Sequence, residues 1–457
     1  MKIMKNERTE NLRELDRKYL WHPFTPMLDW IESEPLIIEY GEGAYIYDTD
    51  GRRYLDGVSS LWVNTHGHRA AKIDAAIRGQ LDRIAHSTLL GLGNVPSIEL
   101  AARLVSLAPA GLSRVFYSDS GSTAVEIALK IAFQRQRQRG EPHPSKVKFV
   151  TFVNAYHGDT IGSVSVGGID LFHAMYKPLL FHSHKAPSPH CYRCHLGLKH
   201  PSCGIACLDA LEDILKERSG EIAGVIIEPL VQGAAGMITA PAGHLRRVRE
   251  LCNTYDVLMI ADEVAVGFGR TGRMFACEHE GVTPDIMTLA KGITGGYIPL
   301  AATLVTDEVF SAFLSRYEEG KTFYHGHTYT GNPLACAAAM ANLDIFKEDN
   351  VIENLAPKIA RMTGRLKEIT GMDHVGDARQ RGMMAGIELV SDKLSKEPYN
   401  INQKVGVRVC MKTRERGVIL RPLGDVVVLM PPLCVTAGQI DELMEAVRLS
   451  IAEVCGS

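Results

Sequence analysis

The sequence predicts an α/β protein built on a mostly parallel central sheet, and three observations predict it. Short apolar runs of β type alternate with helical patterns through roughly 200 residues, as βαβ units require. Two of these runs end on groups of opposite charge: Asp262 follows the run 257–260, and Lys291 follows the run 285–289. Parallel strands present their carboxyl ends to a shared crevice, so an acid and a lysine so placed can reach one ligand. The third observation is length, since 457 residues suffice for one large domain and one smaller one.

Composition narrows the function classes. A formal net charge of −3 argues against a general nucleic-acid binder, which would be basic. The longest apolar stretches, 224–227 and 298–305, are far too short to span a bilayer. The first 21 residues are charged throughout and lack the apolar centre of a secretory signal, so a cytoplasmic protein is expected. In that compartment most of the 10 cysteines are expected to be thiols.

Taken in order, residues 9–20 read as an amphipathic helix leading into Trp21-His22-Pro23-Phe24-Thr25-Pro26. Two prolines beside an aromatic pair predict a stiff, extended segment, with Trp21 and Phe24 either packed in the core or walling a pocket. Alternation at 44–47 and the turn at 48–51 predict a β-hairpin. Trp62 follows, then a helix over 72–84. The run 114–118 reads as a strand entering Asp119-Ser120-Gly121-Ser122-Thr123 and a helix. Val125, Ala128, Leu129 and Ala132 share one face of that helix, and Thr123 with Glu126 is expected to form its capping box. Free N–H groups and the positive end of the helix make Gly121 and Ser122 a candidate phosphate cradle.

The strand 148–152 ends near Tyr156, an aromatic able to stack on a ring, with His157 read as structural and Asp159 as a neighbouring polar contact. The strand 224–228 carries Glu228 at its end, where a helix-capping acid would read the same. After Lys291 the stretch 321–333 is rich in aromatics, histidine and glycine, and from about residue 343 a smaller domain begins. Arg421 is expected to be buried there, either paired with an anion or in a structural salt bridge. Arg270, in a glycine-rich stretch, is a second candidate of the same kind.

An acid and a lysine at one crevice beside a phosphate cradle suit pyridoxal 5'-phosphate. The lysine amine forms a Schiff base with the aldehyde, and the carboxylate keeps the ring nitrogen protonated. The flanking residues Asp262-Glu263-Val264, Gly267-Phe268-Gly269-Arg270-Thr271-Gly272 and Lys291-Gly292 resemble the class III, fold-type I aminotransferases over nearly the whole chain. That resemblance implies a large cofactor-binding domain over 76–342. It also implies a smaller α+β domain formed by the segments 1–75 and 343–457. It implies Lys291 as the catalytic residue and Gly121, Ser122, Tyr156, Glu228, Asp262, Gly326 and Thr328 as further cofactor contacts, with Glu228 near the ring oxygen. Gly326 and Thr328 are implied to reach the cofactor phosphate of a neighbouring subunit, which makes the expected enzyme a homodimer with shared sites. Substrate contacts implied by the resemblance are Phe24, Trp62, Tyr156, Asp159 and Arg421, the last for a carboxylate.

The activity implied is ping-pong transfer of an amino group to 8-amino-7-oxononanoate in biotin synthesis. Where the better-known form of such enzymes has two tyrosines, this chain has Phe24 and Val428. Loss of two hydroxyls from a pocket changes selectivity strongly. This favours L-lysine as amino donor over S-adenosylmethionine. Other readings are an ω-amino acid transaminase or aminomutase on the same scaffold, or a metal-binding interaction protein. The last rests on Cys191, Cys194, Cys203 and Cys207, spaced C-x2-C-x8-C-x3-C. That spacing matches no standard finger, so free thiols or a disulfide are expected and no metal is assigned.

Overall fold

The computed structural model describes residues 7–456. Its centre is a seven-stranded sheet of β1 (Leu112–Ser118), β2 (Lys148–Phe152), β3 (His184–Ala186), β4 (Ile222–Ile227), β5 (Leu258–Asp262), β6 (Ile286–Leu289) and β7 (Ala301–Thr306). The strand order is β1-β7-β6-β5-β4-β2-β3. Every neighbouring pair is parallel except those made by β7, which runs antiparallel to both β6 and β1. The sheet is therefore mixed, with one reversed strand in an otherwise parallel array.

Burial on both faces explains why the strands read as continuous apolar runs. Val225, Met259 and Met287 join the main core. Ile226, Ile260 and Ile286 join a second cluster with Val125, Ala128, Leu129 and Ala132 from the helix Gly121–Gln138. Burying one such aliphatic side chain is worth about 1.5–3 kcal/mol. This two-sided packing fixes the strand ends relative to one another, and the functional loops grow from those ends.

Two four-stranded sheets lie outside the centre. In one, the amino-terminal strands Ile38–Glu42, Tyr45–Asp48 and Arg53–Asp56 are joined in parallel by Val418–Ile419. The other is antiparallel and contains Val375–Arg381, Met384–Leu389, Val426–Leu429 and Arg421–Leu423. The helix Pro333–Glu348 runs across the position 342/343 at which the sequence suggested a domain division. Among the described residues no helix is long and apolar enough to cross a membrane. The first six residues of the amino-terminal segment read above lie outside the described part.

Three local expectations are corrected. The segment 21–26 is a turn running into the helix Met27–Glu32, and Trp21 and Phe24 are exposed rather than packed in a core. The helix over 121–138 is capped by Ser120, whose side chain accepts from Thr123 N–H while Thr123 returns a bond to the Ser120 backbone. Glu126 does not cap its own helix but the start of the short helix Ile161–Ser165. It reaches across to accept from Thr160 Oγ1, Gly162 N–H and Ser163 N–H, fastening the loop after β2 to this helix. Finally, Arg421 is exposed, because Arg421–Leu423 is the edge strand of its sheet.

Candidate active site

All the charged strand-end residues open on one cavity of about 360 Å³ at the carboxyl edge of β1, β2, β4, β5 and β6. Asp262 is the last residue of β5. Its carboxylate accepts from His157 Nδ1 at 2.7 Å, Val264 N–H at 3.1 Å and Thr288 Oγ1 at 3.2 Å. His157 is fully buried and its Nε2 has no partner among the described residues. The histidine read as structural thus orients the acid from 105 residues away. Spacing along the chain carried no signal of this contact.

Lys291 enters from β6 in a left-handed conformation (φ 47°). Gly292 must follow, since a Cβ there would stand 2.9 Å from Phe268 Cβ. Asn342 holds the same turn by donating to the carbonyls of Gly292 and Ile293 at 3.0 and 3.1 Å. The amine lies 5.0 Å from the ring centroid of Trp62, itself buried and in a left-handed conformation. Burial pushes the Lys291 amine below the usual lysine range, opposed by the negative charges of Asp262 and Glu228.

Glu228 follows β4 and is clamped by Tyr156 N–H at 3.0 Å and Gly233 N–H at 2.9 Å. Burial raises its carboxyl to about 7, with the His157 charge and these N–H bonds opposing. No helix begins after Glu228, so its role is not that of a cap. The Tyr156 hydroxyl donates to Asp159 at 2.7 Å, and burial together with that bond pushes the phenol up. Asp159 N–H donates to Ser122 Oγ at 3.2 Å, while Gly158, at φ 120°, leaves no room for a Cβ beside Ser122.

Phosphate, ring and aldehyde each find a fitting group here. The N–H groups of Gly121 and Ser122 start the helix Gly121–Gln138 at the cavity wall and have no acceptor among the described residues. A Cβ on Gly121 would stand 2.7 Å from Val264, so glycine allows the helix end to approach the Asp262 loop. Tyr156 supplies an aromatic face, Asp262 a carboxylate held by three donors, and Lys291 a desolvated amine. This is the site of a pyridoxal-phosphate enzyme of fold-type I.

The remaining candidates lie away from that cavity. Phe24 touches it at one remove, through Phe172 at 5.4 Å and thence Tyr156 at 6.3 Å. Gly326 and Thr328 are exposed and do not line it. Val428 is buried in the small antiparallel sheet opposite Gly386, so the expectation that this position faces the pocket is corrected. Arg270 is completely buried and donates to the carbonyls of Pro431 at 2.8 Å and Asn64 at 2.7 Å. Those bonds tie the loop after β5 to the chain near Asn64 and near Pro431, a structural role. The four clustered cysteines are free thiols in this structure.

Known proteins agree with this reading. The family described as aminotransferase class-III matches residues 30–451. A relative from Nitratidesulfovibrio vulgaris, adenosylmethionine-8-amino-7-oxononanoate aminotransferase, is 59% identical over 98% of this chain and 82% of its own. The protein of the same name from Geobacter sulfurreducens is 56% identical over 98% of this chain and 99% of its own. Among solved structures, that of the Methanocaldococcus jannaschii protein of this name superposes with a TM-score of 0.93 at 47% identity, covering 97% and 99% of the two chains. An (S)-enantioselective omega-transaminase from Thermomicrobium roseum also reaches 0.93, at 36% identity, over 99% and 100%. The chain belongs to the class III aminotransferases, and its cofactor is pyridoxal 5'-phosphate.

Proposed function

We propose that this aminotransferase converts 8-amino-7-oxononanoate to 7,8-diaminononanoate in biotin synthesis, as a cytoplasmic homodimer. The observation that carries the reading is the site built from Lys291, Asp262 and the Gly121–Ser122 helix start, in a chain more than half identical to relatives named for that acceptor. When bound, pyridoxal phosphate supplies an aldehyde to take the amino group and a ring to accept an electron pair. Asp262, oriented by His157, holds the proton on the ring nitrogen. Lys291 Nζ, whose burial lowers its affinity for a proton, would carry the proton away from the donor α-carbon and later return one to the acceptor. Gly121 and Ser122 hold the phosphate through backbone N–H groups, and Trp62 with Tyr156 walls the reacting centre.

Glu228 would face the ring oxygen of the cofactor, and its clamp by Tyr156 N–H couples it to the aromatic that would stack on the ring. Phe24, Asp159 and Arg421 form the substrate side, with the exposed Arg421 guanidinium free to meet a carboxylate. Exposure of Gly326 and Thr328 supports their use in the other subunit's site, so that the partner subunit's Gly326 and Thr328 complete the phosphate cradle.

For the amino donor, the names of the relatives support S-adenosylmethionine. L-Lysine is the second reading, favoured by the missing hydroxyl at Phe24. The test is a half-reaction on the purified enzyme with no keto acceptor present. Loss of the visible absorbance of the lysine-linked cofactor with S-adenosylmethionine alone supports the first donor, and loss with L-lysine alone the second. Full turnover with 8-amino-7-oxononanoate should then give the parallel double-reciprocal lines of a ping-pong reaction. Turnover of simple ω-amino acids but not of 8-amino-7-oxononanoate would instead assign an ω-amino acid transaminase.

A further inference from the structure

A constellation the aminotransferase chemistry does not use lies between β3 and the end of the 3-10 turn Ala206–Leu208. Residues 187–205 form neither helix nor strand. Ordered stretches of such length are uncommon without a fastening of their own. This one is folded into successive tight turns: Gly197 N–H donates to Cys194 O, Cys203 N–H to Lys199 O and Ala206 N–H to Cys203 O, at 3.0, 3.0 and 3.1 Å. The turns bring Cys191, Cys194, Cys203 and Cys207 round a single cavity, which His190, His195 and His200 also line. That cavity holds about 20 Å³, the room of one water-sized sphere and far less than an iron–sulfur cubane needs.

We propose that the four thiols bind one zinc ion as a structural four-thiolate site that fastens this loop. Thiolate is the donor that soft and borderline metals select, and a closed four-sulphur set is characteristic of structural zinc. In this structure no three of the four sulphurs, all among the described residues, come within 4.8 Å of one another. Sulphurs about a tetrahedral ion at ~2.3 Å stand ~3.8 Å apart, so binding draws the turns inward by about an ångström or more. Three of the four cysteines lie in a stretch free of helix and strand and the fourth, Cys207, on a single 3-10 turn, so the loop can make that movement. Each of the four S–H groups gives its proton to solvent and donates a sulphur lone pair to the ion, with no change of oxidation state.

A neighbouring trio, His190, Asp377 and Glu388, also clusters closely enough to hold a metal. It is the weaker candidate because Glu388 is already paired with Arg379 and Arg193, each at 2.6 Å. The cysteine loop is linked to the active site by one short path. Ser188 Oγ bonds Gln232 Oε1 at 2.5 Å, and Gln232 adjoins Gly233, whose N–H holds Glu228.

The test is elemental analysis of the full-length holoenzyme, purified with reductant and without chelator, then incubated with zinc chloride and desalted. Roughly one zinc per chain is expected, falling below about a tenth in Cys203→Ser/Cys207→Ser, with the cofactor absorbance retained. Reconstitution of the unaltered chain with cobalt(II) keeps the test open if that variant does not fold. It should give thiolate-to-metal charge transfer and intense tetrahedral d–d bands. An unaltered chain that takes up neither metal, a variant that keeps its zinc, or four sulphurs found as two disulfides would each overturn the site.

Discussion

The cofactor side and the substrate side of this enzyme are built by different means. On the cofactor side the charged groups are held more than once: Asp262 by three donors, Glu228 by two, and the Lys291 turn by both Asn342 amide bonds. On the proposed substrate side Phe24 is 55% exposed and reaches the site through Phe172, and Arg421 lies exposed on an edge strand. Preorganisation is therefore concentrated where charge develops in the reaction. The proposed substrate wall is held by fewer contacts within the chain.

The comparison breaks most visibly at Lys291. Lys291→Ala should lower kcat by at least about 10³-fold and abolish the visible absorbance of the lysine-linked cofactor. Retention of that band would move the attachment elsewhere. Asp262→Asn should cost about 10²–10⁴-fold in kcat with cofactor still bound. His157→Ala should give a smaller loss of the same kind, together with a shift in the pH dependence of kcat, because it acts through the Asp262 carboxylate. Arg421→Ala should raise the KM of a carboxylate substrate about 10- to 100-fold with the cofactor spectrum unchanged, as loss of a charge-assisted pair on an open wall implies.

The smallest effect sharpens the contrast through stability. Glu228 is held near 7, above its ordinary value, so its folded form favours the proton. Its contribution is fully present below the ordinary carboxyl range and is lost as pH rises through about 7. Glu228→Gln should therefore flatten part of the decline in stability between those limits, by about 1–3 kcal/mol in denaturant unfolding of cofactor-free protein. Glu263, also raised to about 7 by burial, titrates in both proteins and cancels in the difference. A difference independent of pH would show that Glu228 is charged throughout.

What could be read from the sequence follows the same division. Asp262, Lys291 and the Gly121–Ser122 turn stand at strand and helix ends, where local pattern alone fixes position. The two buried faces of the sheet were legible for the same reason. Contacts made across the fold were not: His157 on Asp262, and Asn342 beneath the Lys291 turn. Ser120–Thr123 and Thr123–Glu126 both fit a capping pattern, and only the loop after β2, by recruiting Glu126, decides between them. Arg421 and Val428 were misplaced because sequence does not tell an edge strand from its inner neighbour, nor which face of that neighbour meets the pocket.

The central claim is that the strand-end crevice holds the cofactor through Lys291. Borohydride reduction of the purified enzyme followed by peptide mass mapping tests it most directly. The reduced cofactor should appear as a single stable adduct on the peptide containing Lys291. A stoichiometric adduct on any other lysine, or none in a protein of normal absorbance, would contradict the site described here.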